Sequence, residues 1–347
     1  LTESSRSAAY RPTPKSQHEG ILTVSTYDLF DDYDEYSVRF DSQRADHRSR
    51  RARRPRRQPR PRLAQATAIE EVADAAGLEG GFSPSYQPSK YEEGWLLQSL
   101  GSLYDQQFIT DVLALIRGGK EASVYCCAAH ESTGVELLAA KVYRPRKFRQ
   151  LRNDKMYRQG REVIAADGTR LNNNDFREMR AISKGSAYGK KLQHTSWLMY
   201  EYKTLERLYA AGAAVPRPWA IGDNVVLMDY IGGEGVAAPT LNTVHLERDE
   251  ASALFRTVLH NIELMLQQQI VHGDLSAYNI LYWDGAITLI DFPQVTDLYA
   301  NPDAAFILRR DVTRLSEYFA AQGVVVDADA LADDLWYRYD PGPDAEI

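Results

Sequence analysis

The stretch VHGDLSAYNILYWDGAITLIDF, from Val271 to Phe292, sets one His, three Asp and one Asn in a segment that is otherwise largely apolar. Carboxylates beside Ile280, Leu281 and Leu289 are costly to bury without a cation or a hydrogen-bonding partner, so the fold must supply one. Two short strands separated by Trp283-Asp284-Gly285 fit the local pattern. They project Asn279 and Asp291 toward one edge, with Asp274 on the preceding loop. Mg2+ takes hard oxygen ligands and is held through one or two protein oxygens plus phosphates, which makes Asn279 and Asp291 the candidate metal ligands. Asp274 is then available to orient or deprotonate a hydroxyl nucleophile.

H-x-D-x-x-x-x-N followed by an apolar strand and Asp is the catalytic-loop and metal-loop pattern of the protein-kinase-like phosphotransferases. That pattern requires a phosphate-gripping loop, a strand lysine and a helical glutamate upstream, and all three occur in order. GGKEASVY, Gly118 to Tyr125, reads as a turn between a helix and a strand, where backbone amides and Lys120 or Ser123 can approach phosphate. In LLAAKVY, Lys141 lies within an apolar strand and needs a counter-charge, which the helix following Ser196 offers as Glu201. Lys141 held by Glu201 and aimed at phosphates is the expected pair. Leu227, Met228, Asp229 and Tyr230 read as the strand and hinge that hold an adenine ring through backbone bonds.

The rest of the chain divides by composition. Residues 1–90 combine an acidic, tyrosine-dotted stretch (YDLFDDYDEYSVRFD) with an arginine-rich run from Arg44 to Arg62 interrupted by Pro55, Pro59 and Pro61. Opposed charge blocks with few large aliphatics bury too little apolar surface to offset chain entropy, so this region is expected to be disordered. The arginine run reads either as a solvated tail or as an arm for RNA or another polyanion. From Tyr91 onward, Leu96, Leu97, Leu100 and Leu103 follow helical spacing, and Val112, Leu113 and Ile116 continue it into Gly118. Ser123 to Ala128 and Glu136 to Tyr143 are expected strands joined by a hairpin. Further strands are expected around Ala220 and from Val225 to Tyr230, and helices over 196–211 and 250–269. The formal net charge of -7 argues against a surface that binds nucleic acid throughout. The two cysteines, Cys126 and Cys127, are adjacent and offer neither a long-loop disulfide nor usual metal-ligand spacing, which fits a reducing, cytoplasmic setting. No apolar run approaches the roughly 20 residues that span a bilayer, so no membrane partner is expected.

Taken together, GGKEASVY, AAKVYRPRKF, a long insertion before TSWLMYEYKTL, HGDLSAYNIL and IDFPQ resemble the RIO-type atypical serine/threonine protein kinases over roughly Leu100 to Tyr318. The resemblance implies an α+β, bilobal protein-kinase-like fold, with a small β-rich N-lobe over about 100–230 and a reduced helical C-lobe over about 231–347. The whole kinase-like domain would cover 91–347. It implies ATP and Mg2+ as cofactors and Lys141 with Glu201 as the ion pair. It further implies Met228 beside the adenine, Ser123 at the phosphate loop, Asp274 as catalytic Asp, and Asn279 and Asp291 as metal ligands. The resemblance implies an association with maturation of small ribosomal subunits, and the Arg44 to Arg62 arm, read from its charge, is a candidate attachment to RNA or a ribosomal particle. The substrate would be a protein, or the chain itself by autophosphorylation. The insertion, Arg144 to His194, corresponds to a flexible loop with Ser183, Ser186 and Thr195 as candidate acceptors. The resemblance equally implies an ATPase switch using the same site, and two other readings share the motifs: a small-molecule phosphotransferase of the aminoglycoside or choline type, and a non-catalytic ATP-binding assembly factor.

Overall fold

The four leucines at 96, 97, 100 and 103 are buried on one face of helix α1 (Lys90–Asp105). Each contributes about 1.5–3 kcal/mol of apolar burial. Before its first turn, Glu92 reaches back to the Ser89 N–H at 3.4 Å. The Tyr125 hydroxyl donates to the same carboxylate and ties the helix to the sheet beside it. This computed structural model describes residues 82–119, 121–144, 157, 159, 161–171 and 174–339. The expected disorder of the N-terminal region, apart from its last few residues, and the arginine run therefore lie outside the described residues, as does Lys120.

After α1 come strands β1 (Ile109–Gly118), β2 (Ala122–Ala129) and β3 (Leu137–Tyr143). The short hairpin β4 (Val163–Ile164) and β5 (Arg170–Leu171) follows, then helices α2 (Phe176–Ser183) and α3 (Ala187–Ala210), and strands β6 (Pro218–Ile221) and β7 (Val225–Asp229). The five longer strands form one antiparallel sheet in the order β1-β2-β3-β7-β6. Strand alternation sorts its side chains. Tyr125, Cys127, Leu138, Ala140, Val142 and Leu227 pack under α1. Ala139, Tyr143, Val226 and Met228 join the larger core on the opposite face.

Two expectations are corrected. Val112, Leu113 and Ile116 lie on β1, so the Gly118–Gly119 turn joins two strands rather than a helix and a strand. Short apolar runs do not separate helix from strand by period, and the pairing with β2 decides this one. The glutamate helix begins at Ala187 rather than Ser196, with the Ser186 hydroxyl accepting from Gly189 N–H at 3.1 Å. The described parts of the insertion accordingly carry a hairpin and α2 rather than an unstructured connection. Ser183 ends α2, Ser186 caps α3, and Thr195 lies within α3.

The second lobe starts with the hairpin β8 (Gly232–Gly233) and β9 (Val236–Ala237), then α4 (Arg248–Gln267). Leu254, Val258, Ile262, Met265 and Leu266 of α4 are buried, as the periodicity required. Strands β10 (Ile270–Val271), β11 (Ile280–Trp283), β12 (Ala286–Leu289) and β13 (Thr296–Asp297) precede α5 (Ala304–Ala321) and α6 (Ala328–Tyr339). β11 pairs with β12 around the Trp283-Asp284-Gly285 turn, and β10 pairs with β13. These two pairings set the β10–β11 loop, with His272, Gly273 and Asp274, beside the β12–β13 loop, with Asp291 and Phe292. The architecture is α+β and bilobal, a sheet-rich lobe followed by a small helical one.

Candidate active site

Lys141 projects from β3 on the face opposite α1. Its Nζ lies 2.6 Å from Glu201 Oε1 of α3 and 2.6 Å from Asp291 Oδ1 of the β12–β13 loop. Tyr143, two residues on and on the same face, donates its hydroxyl to the other oxygen of Glu201. Burial alone pulls the Lys141 ammonium toward the neutral form, but the carboxylates of Asp291 and Glu201 outweigh it and hold its pKa well above the ordinary lysine value. Asp291 shows the converse. Partial desolvation beside the cluster raises its pKa, and the adjoining Lys141 ammonium more than offsets this and leaves it below the usual carboxylate range. Burial, then Glu201, pushes the Tyr143 phenol well up, so it stays a donor.

The β10–β11 loop is held from several directions. His272 accepts the Asp274 N–H at Nδ1 (3.3 Å), which leaves Nε2 to donate to the Ile290 carbonyl (3.2 Å). Its ring packs on Phe292, so His272 links the two loops rather than facing a substrate. Gly273 has φ +84°, and a Cβ there would stand 2.3 Å from the Gln294 carbonyl oxygen. Only glycine permits the loops this approach. The Asn279 amide nitrogen donates to the Asp274 carbonyl (2.8 Å) and lies 3.3 Å from Asp274 Oδ2.

The donor set fits a hard divalent cation. Asp291 adopts φ +71°, an unusual conformation for a non-glycine residue, and its side chain is 40% exposed while Glu201 is 1% exposed. It is the open carboxylate of an otherwise enclosed cluster. Asn279 commits its nitrogen to Asp274, which leaves the amide oxygen as the atom able to ligate. Among the described residues no group of three or more His, Cys, Asp or Glu could cage a metal. A cation here would draw on Asp291 and Asn279 and complete its shell with non-protein oxygens, as Mg2+ does beside phosphates.

The remaining expected residues are placed as follows. Met228 lies on β7, paired with Ala139 and buried on the Lys141 face; Tyr230, just past the end of that strand, is half-buried. Ser123 is buried on β2, where Val124 rather than Ser123 is the partner of Lys141. Alternation sets the Ser123 side chain with Tyr125 on the α1 face, so the fold brings the backbone of this strand toward the cleft but not the hydroxyl.

Several residues went unread in the sequence. Arg314 of α5 donates to Asp274 Oδ1 at 2.9 Å, with both side chains nearly enclosed. Asp311 accepts the Gly273 N–H at 2.8 Å, and Arg310 donates to the Gly273 carbonyl and to the Tyr157 hydroxyl. Arg161 of the insertion donates to the Pro293 carbonyl (2.8 Å) and the Val295 carbonyl (2.9 Å), and its guanidinium stacks 4.6 Å from the Tyr200 ring centre. The readable signal for α5 was its stripe. Ile307, Asp311 and Arg314 share i, i+4, i+7 spacing on the face that Leu308 and Leu315 bury, so charged side chains occupy core positions.

Comparison with known proteins places this geometry in context. A family model described as the RIO domain matches residues 141–331. The RIO-type serine/threonine-protein kinase Rio1 of Haloferax volcanii is 31% identical over 189 residues, which is 53% of this chain and 62% of that protein. Serine/threonine-protein kinase RIO1 of Chaetomium thermophilum is 25% identical over 356 residues, 94% of this chain and 64% of that one. The chain thus spans less than two thirds of either relative. Among solved structures, the Rio2 kinase–ADP/Mg2+–phosphoaspartate complex from Chaetomium thermophilum aligns with a TM-score of 0.48 at 19% identity, over 78% of this chain and 75% of that one.

Proposed function

Because this chain belongs to the RIO domain family, we infer that it is an ATP- and Mg2+-dependent phosphotransferase acting as a serine/threonine protein kinase. The observation that carries this is the Lys141 node. One buried ammonium joins a strand, the α3 glutamate and the Asp291 loop, with the Asp274–Asn279 pair on the adjoining loop. An isolated structural ion pair needs no third, solvent-open carboxylate. The kinase-like domain in this reading covers 91–347, with the N-lobe over about 100–230 and the C-lobe over about 231–347.

Each residue then has a task. Lys141, oriented by Glu201, presents positive charge to the nucleotide phosphates. The backbone between Gly118 and Ser123, with Lys120, closes over those phosphates, and Met228 and Tyr230 border the adenine. Asp291 and Asn279 hold Mg2+, whose charge balances that of the phosphates. Asp274 orients the acceptor hydroxyl and takes its proton as the phosphoryl group moves in line. The acceptor is a seryl or threonyl hydroxyl of a protein partner or of this chain. The arginine-rich run from Arg44 to Arg62 supports attachment to RNA or a ribosomal particle, and its affinity would fall with salt. A cytoplasmic setting agrees with the buried, unpaired cysteines, and no helix of the described residues is long and apolar enough to cross a membrane.

Incubation with γ-labelled ATP and Mg2+ tests this reading. Acid-stable label on serine or threonine, abolished by EDTA and by Asp274→Asn, is the expected result. Label confined to small alcohols would instead favour a small-molecule phosphotransferase. Nucleotide binding without any transfer would favour a non-catalytic assembly factor.

A further inference from the structure

The Asp274 carboxylate is gripped through both oxygens by side chains from different parts of the lobe. Oδ2 faces the Asn279 amide at 3.3 Å, within its own loop. Oδ1 accepts from Arg314 Nη1 at 2.9 Å, and Arg314 comes from α5, forty residues further along the chain. The two contacts differ in kind. Asn279 moves with the loop, whereas α5 is an 18-residue helix whose Ile307, Leu308, Val312 and Leu315 are locked in the core. A guanidinium on such a helix is a fixed reference against which the carboxylate is held.

The same helix grips the adjoining peptide. Asp311 accepts the Gly273 N–H, and Arg310 donates to the Gly273 carbonyl. Backbone donor, backbone acceptor and the following side chain are thus all tied to one turn and a half of α5. Arg310 and Asp311 bind the loop backbone, whereas Arg314 bonds the Asp274 carboxylate itself and so bears on its rotation about the side-chain bonds. The charges also balance locally, since Arg310 and Arg314 face Asp311 and Asp274 in a nearly solvent-free setting.

We propose that Arg314 is a positioning residue for phosphoryl transfer, orienting the Asp274 carboxylate toward the acceptor hydroxyl through its Nη1–Oδ1 bond. The inference rests on the reading of Asp274 as the catalytic carboxylate. A rotated carboxylate loses alignment with the hydroxyl while the Lys141, Glu201 and Asp291 node keeps its own ion pairs, which run through Lys141 and not through Arg314. The loss therefore falls on the chemical step and not on nucleotide affinity.

The test measures single-turnover phosphoryl transfer and the Kd for ATP with Mg2+ in the full chain, for Arg314→Lys, Arg314→Met and Asp274→Asn. The expected result is a loss of roughly 10²-fold in rate for Arg314→Met, a smaller loss of about 10-fold for Arg314→Lys, and Kd values within about 3-fold of the parent. Rates unchanged in both Arg314 variants overturn the proposal. So does a weakening of nucleotide binding as large as the loss of rate. If Arg314→Met fails to fold, Arg314→Lys alone decides by the same criteria. Asp274→Asn separates the two levels: full transfer in that variant removes the underlying reading, whereas loss there with intact Arg314 variants removes only the role of Arg314.

Discussion

Lys141 and Asp291 are in direct contact, Nζ to Oδ1 at 2.6 Å, across 150 residues of sequence. The contact joins the sheet to the loop after β12, so the ammonium spans the cleft between the lobes. It also meets Glu201, which is 1% exposed. Removing Lys141 would leave the α3 carboxylate buried with only the Tyr143 hydroxyl to balance it.

Lys141→Met is therefore expected to lower phosphoryl transfer by about 10²–10³-fold and to destabilise the fold by about 3–5 kcal/mol. The two effects separate in a second variant. Adding Glu201→Gln removes the orphaned charge while keeping an acceptor for the Tyr143 hydroxyl, so Lys141→Met/Glu201→Gln regains much of the stability and none of the activity. Denaturant titration alongside labelled-ATP turnover reads both. Equal stability in the single and double variants would contradict the burial argument.

Gly273 and Gly285 both have positive φ, +84° and +77°, but a Cβ at Gly273 meets the Gln294 carbonyl oxygen at 2.3 Å and one at Gly285 meets nothing within 4 Å. Gly285→Ala should cost only the left-handed backbone strain, about 1–2 kcal/mol. Gly273→Ala adds a backbone collision between the two functional loops. It is expected to cost about 2–3 kcal/mol or more and to abolish transfer. Comparable unfolding midpoints for the two variants would mean that the loops do not need this approach.

Much of the site could be read from the sequence because its constraints are local. His272, Asp274 and Asn279 fall within one octapeptide, and Asp291 ends the next apolar run. Lys141 stood out as a charge in an otherwise apolar strand. Glu206 lies on the same helix as Glu201, and burial alone separates the two. The structure encloses Glu201, while Glu206 is 40% exposed and pairs with Lys203. Arg161, Arg310, Asp311 and Arg314 escape such a reading because their partners are backbone carbonyls, a backbone N–H or a carboxylate more than thirty residues distant, and charged side chains on a helix ordinarily face water. The β1 segment reads as helical because ITDVLALIRG has no firm period, and the edge pairing that makes it a strand is non-local.

Tyr318 gives a pH-dependent signature away from the site. Its hydroxyl donates to the Leu241 carbonyl (2.8 Å) and lies 3.2 Å from that of Val244, joining α5 to the turn before α4. Burial, then the Glu250 carboxylate, pushes its pKa up to about 12. A phenol whose folded pKa lies above its unfolded value of 10.0 contributes stability that is fully present below pH 10 and is lost as pH rises toward 12. Tyr318→Phe should lower stability by about 1 kcal/mol at neutral pH and should lose less than the parent between pH 10 and 12. Parallel alkaline stability curves for the two proteins would rule out the assignment.

Arg161 ties the insertion to the Asp291 loop, donating to the carbonyls of Pro293 and Val295 while its guanidinium lies over Tyr200, the neighbour of Glu201 in α3. One planar side chain thereby fixes the relative position of the helix that orients Lys141 and the loop that carries Asp291. Lysine cannot reproduce this, because a single ammonium does not offer a planar fork to two carbonyls and a flat face to a ring. Arg161→Lys is expected to loosen the loop without unfolding the lobe, weakening ADP binding about 5–10-fold in Mg2+, the size expected of a coupling of 1–1.4 kcal/mol. In EDTA, where Asp291 has no cation to hold, the affinity should match that of the parent. Calorimetric titration under both conditions decides the matter, and an equal loss with and without Mg2+ would show that Arg161 supports the nucleotide site as a whole rather than the Asp291 loop.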